Sequence, residues 1–141
     1  MKPDPEADIE RVLTSYGTVA VIGVSPKPDR PSHIVARFLM DEGFRVIPVT
    51  PDAVEVLGER AYADLASIPE PVEVVDIFRK PEEVLPVVEE AIRIGAKAVW
   101  LQEGVVNDAA ADMARKEGLT VVMDRCMKRE MLKRRDRVPE A

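Results

Sequence analysis

The chain has 141 residues, 46% of them apolar and 33% charged, with a formal net charge of −6. That size suits one domain with one core. The apolar content excludes a disordered chain, and no apolar run approaches the roughly 18 residues of a membrane span. The acidic balance argues against a general nucleic-acid binder, which needs a basic surface.

Taken in chain order, the first signal is an acidic N-terminus, "MKPDPEADIER", without the apolar stretch of a secretory signal. Asp4 as N-cap, Pro5 at the first helical position and Gly17 as a stop predict a helix across 4–17. The predicted strands are Val19–Val24, Arg45–Val49, Val72–Phe78, Ala98–Leu101 and Thr120–Met123. Several are continuous apolar runs, as in a parallel sheet covered on both faces. Between the first two, "PSHIVARFLMDEG" puts Ile34, Val35, Phe38 and Leu39 on one helical face. The segment "DAVEVLGERAYADLASIPEP" predicts an irregular connection with one short helix. "RKPEEVLPVVEEAIRIG" predicts a helix from Pro81, with Pro86 marking a kink or a second start. "NDAAADMARKEG" runs from an Asn107 cap to a Gly118 stop. The basic "KREMLKRRDR" reads as a solvated helical face.

Strand–helix alternation with short connections implies right-handed crossovers and a three-layer α/β domain. The expected architecture is Rossmann-like, a five-stranded parallel sheet of order 3-2-1-4-5. Glu73 and Asp76 assign the third strand to an edge. Pro48 is an obstacle to placing the second strand inside, because proline removes a ladder donor. The expected organisation is a single domain over 1–141: an N-terminal helix 4–17, a core 18–128 and a basic C-terminal tail 129–141. The single cysteine rules out an internal disulfide and points to a reducing, cytoplasmic setting. One Asn and one Gln beside abundant Glu, Arg and Pro resemble a thermophile's composition.

Ligands of open parallel sheets bind beyond the carboxyl ends of the strands. The five exits here are "GVSPKPDRPSH", "TPDA", "RKPEE", "QEGVVND" and "DRCMK". They bring the lone His33, Gln102, Asn107 and Cys126 to one rim, together with Lys27, Arg30, Arg79, Lys80, Arg125 and Lys128. Cations gathered on the binding rim of an acidic chain predict an anionic ligand. At the first exit Gly23 allows close backbone approach, and the following helix aims free N–H groups at the loop. Ser25 and Ser32 add hydroxyls, Lys27 and Arg30 add charge, and Pro26, Pro28 and Pro31 order the loop in advance. The loop is no dinucleotide fingerprint, since Ser25 and Pro28 stand where glycines are needed, and no G-K-[ST] follows. An NAD-type ribose contact wants an acidic residue closing the second strand, where the chain has Thr50 with Asp52 two further on, so an NAD(P)-binding oxidoreductase is the competing but disfavoured enzyme reading.

The stretches "VAVIGVSPKPDRPSH", "RVIPVTP", "LGERAYADLASIPEPVEVVDIFRKPEEV", "GAKAVWLQEGVVND" and "GLTVVMDRCMK" resemble the small stand-alone CoA-binding proteins. These are similar to the nucleotide-binding domain of the succinyl-CoA synthetase α subunit. The resemblance covers Thr18 to Lys128 and implies a Rossmann-like fold with coenzyme A or acyl-CoA as ligand. It implies that Gly23, Ser25, Lys27, Arg30 and Ser32 contact phosphates, with Val24 and His33 in the same binding loop. Thr50, Pro51, Phe78 and Arg79 would line the adenosine side, and the pantetheine arm would run towards Gln102, Glu103 and Gly104. Relatives often place a lysine after the proline closing strand two; this chain has Asp52.

The synthetase's phosphorylated histidine lies in a domain beyond this resemblance, so its ligase chemistry is not carried over. What remains is a CoA-binding protein with no assigned catalytic residue, or a module that supplies a CoA site to a ligase partner. A homo-oligomer is a further expectation; nucleic acid and membrane are not expected partners. One His and one Cys do not make a closed zinc site. Glu59 and Glu103 lack a carboxylate partner for acid–base work. Cys126 is expected to be a partly buried thiol distant from the first exit, and Trp100 a core residue.

Overall fold

A computed structural model describes residues 3–137. Helix α1 (Pro5–Ser15) leads into β1 (Thr18–Ile22), and α2 (Pro31–Asp41) returns the chain to β2 (Arg45–Val49). An antiparallel hairpin of β3 (Glu55–Val56) and β4 (Glu59–Arg60), then a 3-10 turn at Leu65–Ser67, precede β5 (Val74–Ile77). The remainder alternates: α3 (Val84–Arg93), β6 (Ala98–Leu101), α4 (Asp108–Lys116), β7 (Thr120–Met123) and α5 (Met127–Arg137).

Local chemistry accounts for the helix starts. The Asp4 carboxylate accepts the Ala7 N–H at 3.2 Å, and the Asn107 side chain accepts that of Ala110 at 3.0 Å, each satisfying a donor that has no intrahelical partner. Pro86 marks a second start rather than a kink. A 3-10 turn at Pro81–Glu83 precedes it, and it lies in the first turn of α3, where its missing N–H is not needed.

The five main strands run in the order β2-β1-β5-β6-β7, all parallel. Residues of α3 and α4 cover one face and residues of α1, α2 and α5 the other, giving the three layers expected. Every residue of β5 and β6 is buried, which is why those segments read as unbroken apolar runs. Full burial of one such Val, Ile or Leu side chain is worth about 1.5–3 kcal/mol.

The position of Val74–Ile77 differs from the expectation. It is no edge strand, because β5 pairs with β1 on one side and β6 on the other. The place beyond β2 falls to Tyr62, which forms a one-residue parallel bridge with Val49. Counting that bridge as the third strand restores the Rossmann order, with β5 as the fourth strand beside β1. The polar residues that suggested an edge have other roles. Glu73 sits at the foot of β5 and accepts the N–H groups of Gly17 and Thr18 at 2.9 and 3.1 Å. Asp76 is fully buried. Pro48 is accommodated because its carbonyl turns outward to accept the Tyr62 N–H at 3.0 Å. Its nitrogen faces the same way, so no bond to β1 is lost.

The basic segment expected as a tail from 129 is, as far as Arg137, part of α5; residues 138–141 lie outside the described residues. Met127 is fully buried and Glu130 is 3% exposed. Arg134 reaches Glu10 at 3.1 Å, Glu6 at 3.7 Å and Glu130 at 3.1 Å, latching α5 to α1. Arg135 pairs with Glu42 on the α2 side. Thus the cationic stripe is a docking seam.

Candidate functional site

The site begins where β1 ends. Gly23 has φ +80, and a Cβ built on it would lie 2.2 Å from the Phe78 carbonyl oxygen. Its N–H donates to the Val49 carbonyl at 2.9 Å. Glycine is therefore required because the exits of β1 and β5 touch here, whatever ligand arrives. After β1 the chain turns to the α2 face and after β5 to the α3 face, so the junction is the switch point of the sheet.

Beyond Gly23 the loop is tied to itself. Ser32 Oγ accepts the Ser25 N–H at 2.9 Å, and Ser25 Oγ accepts the Lys27 N–H at 3.1 Å. The Arg30 N–H donates to the Lys27 carbonyl at 3.2 Å. His33, 8% exposed, holds the Ser25 carbonyl at 2.9 Å through Nδ1; a carbonyl only accepts, so Nδ1 carries the proton. Helix α2 then starts with no side-chain cap on its N-cap, Arg30. Pro31 has no N–H, and those of Ser32 and His33 have no intrahelical acceptor within reach. This helix start borders an arm of about 410 Å³ lined by Ser25, Lys27, Arg30 and Ser32. Free amides, a helix dipole and two cations make this arm suited to a phosphate.

The arm shares Gly23, Pro31 and Phe78 with a cleft of about 1040 Å³. That cleft passes from Thr50 and Asp52 at the β2 exit, past Phe78 and Arg79, to Gln102, Glu103 and Cys126. Ile34 and Val35 of α2 form one wall, and Lys128, Arg129 and Leu132 of α5 the other. Thr50 Oγ1 accepts the Asp52 N–H at 3.1 Å. Arg79 donates to Glu83 at 3.0 Å, while its Nε is buried without a partner. Gln102, 4% exposed, accepts the Met127 N–H through Oε1 at 3.3 Å. That bond fixes the carboxamide and leaves its NH2 for whatever occupies the cleft. Arg129 grips both Glu103 oxygens at 2.7 and 2.6 Å.

One buried group lies beneath this floor. Asp76 stands between Val21 and Trp100 in register, two residues before Phe78 and on the same face. It is fully buried, and neither carboxyl oxygen has a hydrogen-bond partner. Burial pushes its carboxyl well above the usual range, so the protonated acid is the favoured form.

Of the residues singled out in the sequence, Gly23, Ser25, Lys27, Arg30, Ser32, Thr50, Phe78, Arg79, Gln102 and Glu103 line the arm or the cleft. Four do not. Val24 is core; His33 is turned in as a strut; Pro51 lines a separate recess of about 190 Å³. Gly104 instead donates its N–H to Asp124 at 2.7 Å. Cys126 is not remote from the first exit, since one cleft runs from Gly23 to it. Trp100 is core as expected, its Nε1 donating to the Arg125 carbonyl at 2.8 Å and anchoring the turn that carries Cys126. Of the α5 wall, sequence reasoning brings only Lys128 to the rim and misses Arg129 and Leu132. Its signal was present, because Lys128, Leu132 and Arg135 recur at helical spacing opposite Ile34 and Phe38.

A family profile described as "CoA binding domain" matches residues 17–131. The uncharacterized protein YneT of Bacillus subtilis (strain 168) is 38% identical over 128 residues, 91% of this chain and 95% of YneT. A hypothetical protein from Pyrococcus horikoshii OT3 is 41% identical with a TM-score of 0.88, over 94% of this chain and 96% of that one. The apo dinucleotide-forming acetyl-coenzyme A synthetase 1 of Ca. Korarchaeum cryptofilum matches with a TM-score of 0.69 at 25% identity, over 82% of this chain and 28% of the synthetase. Among the described residues, no helix is long and apolar enough to cross a membrane.

Proposed function

The chain belongs to the CoA binding domain family, and from that premise we propose that it is a cytoplasmic coenzyme A-binding protein. The observation that carries the reading is the uncapped start of α2 beside Lys27 and Arg30, opening into a long cleft at the switch point. In this reading the diphosphate lies in the arm on the Ser32 and His33 amides, with Lys27 and Arg30 balancing its charge. Adenosine lies towards Thr50, Phe78 and Arg79, and pantetheine towards Gln102 and Glu103. The hydrogen bonds that shape the loop are made within the protein itself, and a loop ordered in this way lowers the entropy cost of binding.

No group in the cleft is assigned to catalysis. His33 is committed to the Ser25 carbonyl, and Asp76 is sealed below the floor. A second reading has one specific support: the same fold occurs as 28% of the acetyl-coenzyme A synthetase chain. A protein of this kind then supplies a CoA site to a separate ligase partner and is active only in the mixture.

Calorimetric titration with CoA, dephospho-CoA, NAD and NADP tests the proposal. CoA is expected to bind, and Lys27→Ala and Arg30→Ala are each expected to cost about 1–3 kcal/mol of that binding. Tight NADP binding without CoA binding would overturn it.

A further inference from the structure

The arm and the main cleft differ in chemistry. The arm carries Lys27 and Arg30. In the main cleft the apolar lining is Ile34 and Val35 of α2, Val105 after β6 and Leu132 of α5. Ile34 is 42% exposed, and among the described residues it is the exposed large apolar side chain that lines the cleft. The cations there have partners. Arg129 is chelated by Glu103, and the Lys128 ammonium stands 5.4 Å above the Phe38 ring. An apolar slot whose neighbouring charges are satisfied favours an apolar occupant over a charged one.

We propose that the apolar side of the cleft between Ile34 and Leu132 seats the hydrocarbon chain of an acyl thioester, so that the preferred ligand is an acyl-CoA with an unbranched, uncharged acyl group rather than free CoA. Ile34 and Leu132 set the chain preference from opposite walls. The Gln102 NH2, left unused by the Met127 bond, is in this reading the donor to the thioester carbonyl. Dicarboxylic acyl groups are disfavoured because a terminal carboxylate there meets carbon and cations already paired. The proposal rests on the placement of the diphosphate in the arm, with the thioester end of the ligand in the main cleft.

The test is titration of the whole chain with CoA, butyryl-CoA, octanoyl-CoA and succinyl-CoA. Complete burial of one methylene corresponds to about fourfold in affinity, so a partly covered octanoyl chain is expected to bind at least about tenfold more tightly than CoA. Butyryl-CoA is expected to exceed succinyl-CoA, which has the same carbon count and a carboxylate. Ile34→Asp and Leu132→Asp are each expected to reduce the octanoyl-to-CoA affinity ratio towards one. Alkylation of Cys126 by iodoacetamide, followed by intact mass, gives a readout that needs no variant; octanoyl-CoA is expected to slow it more than CoA does. Affinity independent of chain length, or succinyl-CoA equal to butyryl-CoA, would overturn the inference while leaving CoA binding standing. Failure of all four ligands to bind would overturn both.

Discussion

The two walls of the cleft are built differently. The Gly23–Ser32 wall is fixed by covalent restraint and main-chain hydrogen bonds: prolines, a glycine pressed against the Phe78 carbonyl, and serines that accept the loop's own amides. The α5 wall stands on one fully buried methionine and a set of ion pairs, Arg134 to Glu6, Glu10 and Glu130 and Arg135 to Glu42. Local bonding of the first kind responds little to salt, whereas partly exposed ion pairs weaken as screening rises. The lesson is that one wall presents its donors in a fixed array, whereas the attachment of the other to the body of the protein has a strength set by solution conditions.

Gly23→Ala attacks the fixed wall directly. Left-handed backbone and a main-chain overlap together are expected to cost about 2–5 kcal/mol, measured by urea unfolding; unchanged stability would show that the β1–β5 junction has slack. Arg134→Met attacks the other wall. It leaves Glu130 buried with Lys133 alone, and a loss of about 1–3 kcal/mol is expected, less than for a fully buried pair because Glu6 and Glu10 are exposed. Hydrogen exchange is expected to rise across α5 and stay low in β1, and the wild-type protein in high salt should show a weaker version of the same pattern. Exchange rising equally in both would erase the contrast.

The two buried acids sharpen it with pH. Burial pushes Glu130 up, but the hydrogen bonds and charges of Lys133 and Arg134 outweigh this and hold it below its usual value. Its folded-state value is thus depressed, so its contribution to stability is present above the ordinary carboxylate range and is lost as pH falls. Asp76 is shifted the opposite way. Its native form holds the proton longer than the unfolded chain does, so its penalty is absent below about pH 4 and grows as pH rises. Asp76→Val is therefore expected to stabilise by about 1–2 kcal/mol near neutrality, with the gain shrinking towards pH 4 in thermal unfolding; a gain constant with pH would contradict the buried titration. The smallest effect is expected from Ser32→Ala, about 1 kcal/mol, because the Ser25 N–H loses its acceptor. CoA affinity should fall in parallel, whereas loss of stability with unchanged affinity would detach the serine from the binding array.

Strand cores, helix caps and rim loops were legible because each leaves a local mark: an apolar run, an Asp or Asn cap, a proline cluster. The place of β5 was not, since strand order is set by pairing between segments distant in sequence, and the one-residue bridge at Tyr62 has no periodicity to detect. Glu73 and Asp76 misled because polarity along a strand does not reveal whether the side chain caps a neighbour, lies sealed, or faces water. The inward turn of the His33 ring was not legible because its bond to the Ser25 carbonyl exists only once the loop has folded. The rest of the α5 wall escaped for a related reason. A basic helix looks solvated until Glu6, Glu10 and Glu42, distant in sequence, are brought against it.

Asp76 also provides an intrinsic spectroscopic probe. A carboxyl that keeps its proton in a dry site absorbs in the infrared apart from both the amide band and ionised carboxylates, and an isolated carbonyl stretch is sensitive to the local field. Because Asp76 lies one pleat beneath Phe78, ligand entering above it should displace that band. Occupancy could then be followed vibrationally in the unlabelled protein, with Asp76→Asn supplying the blank.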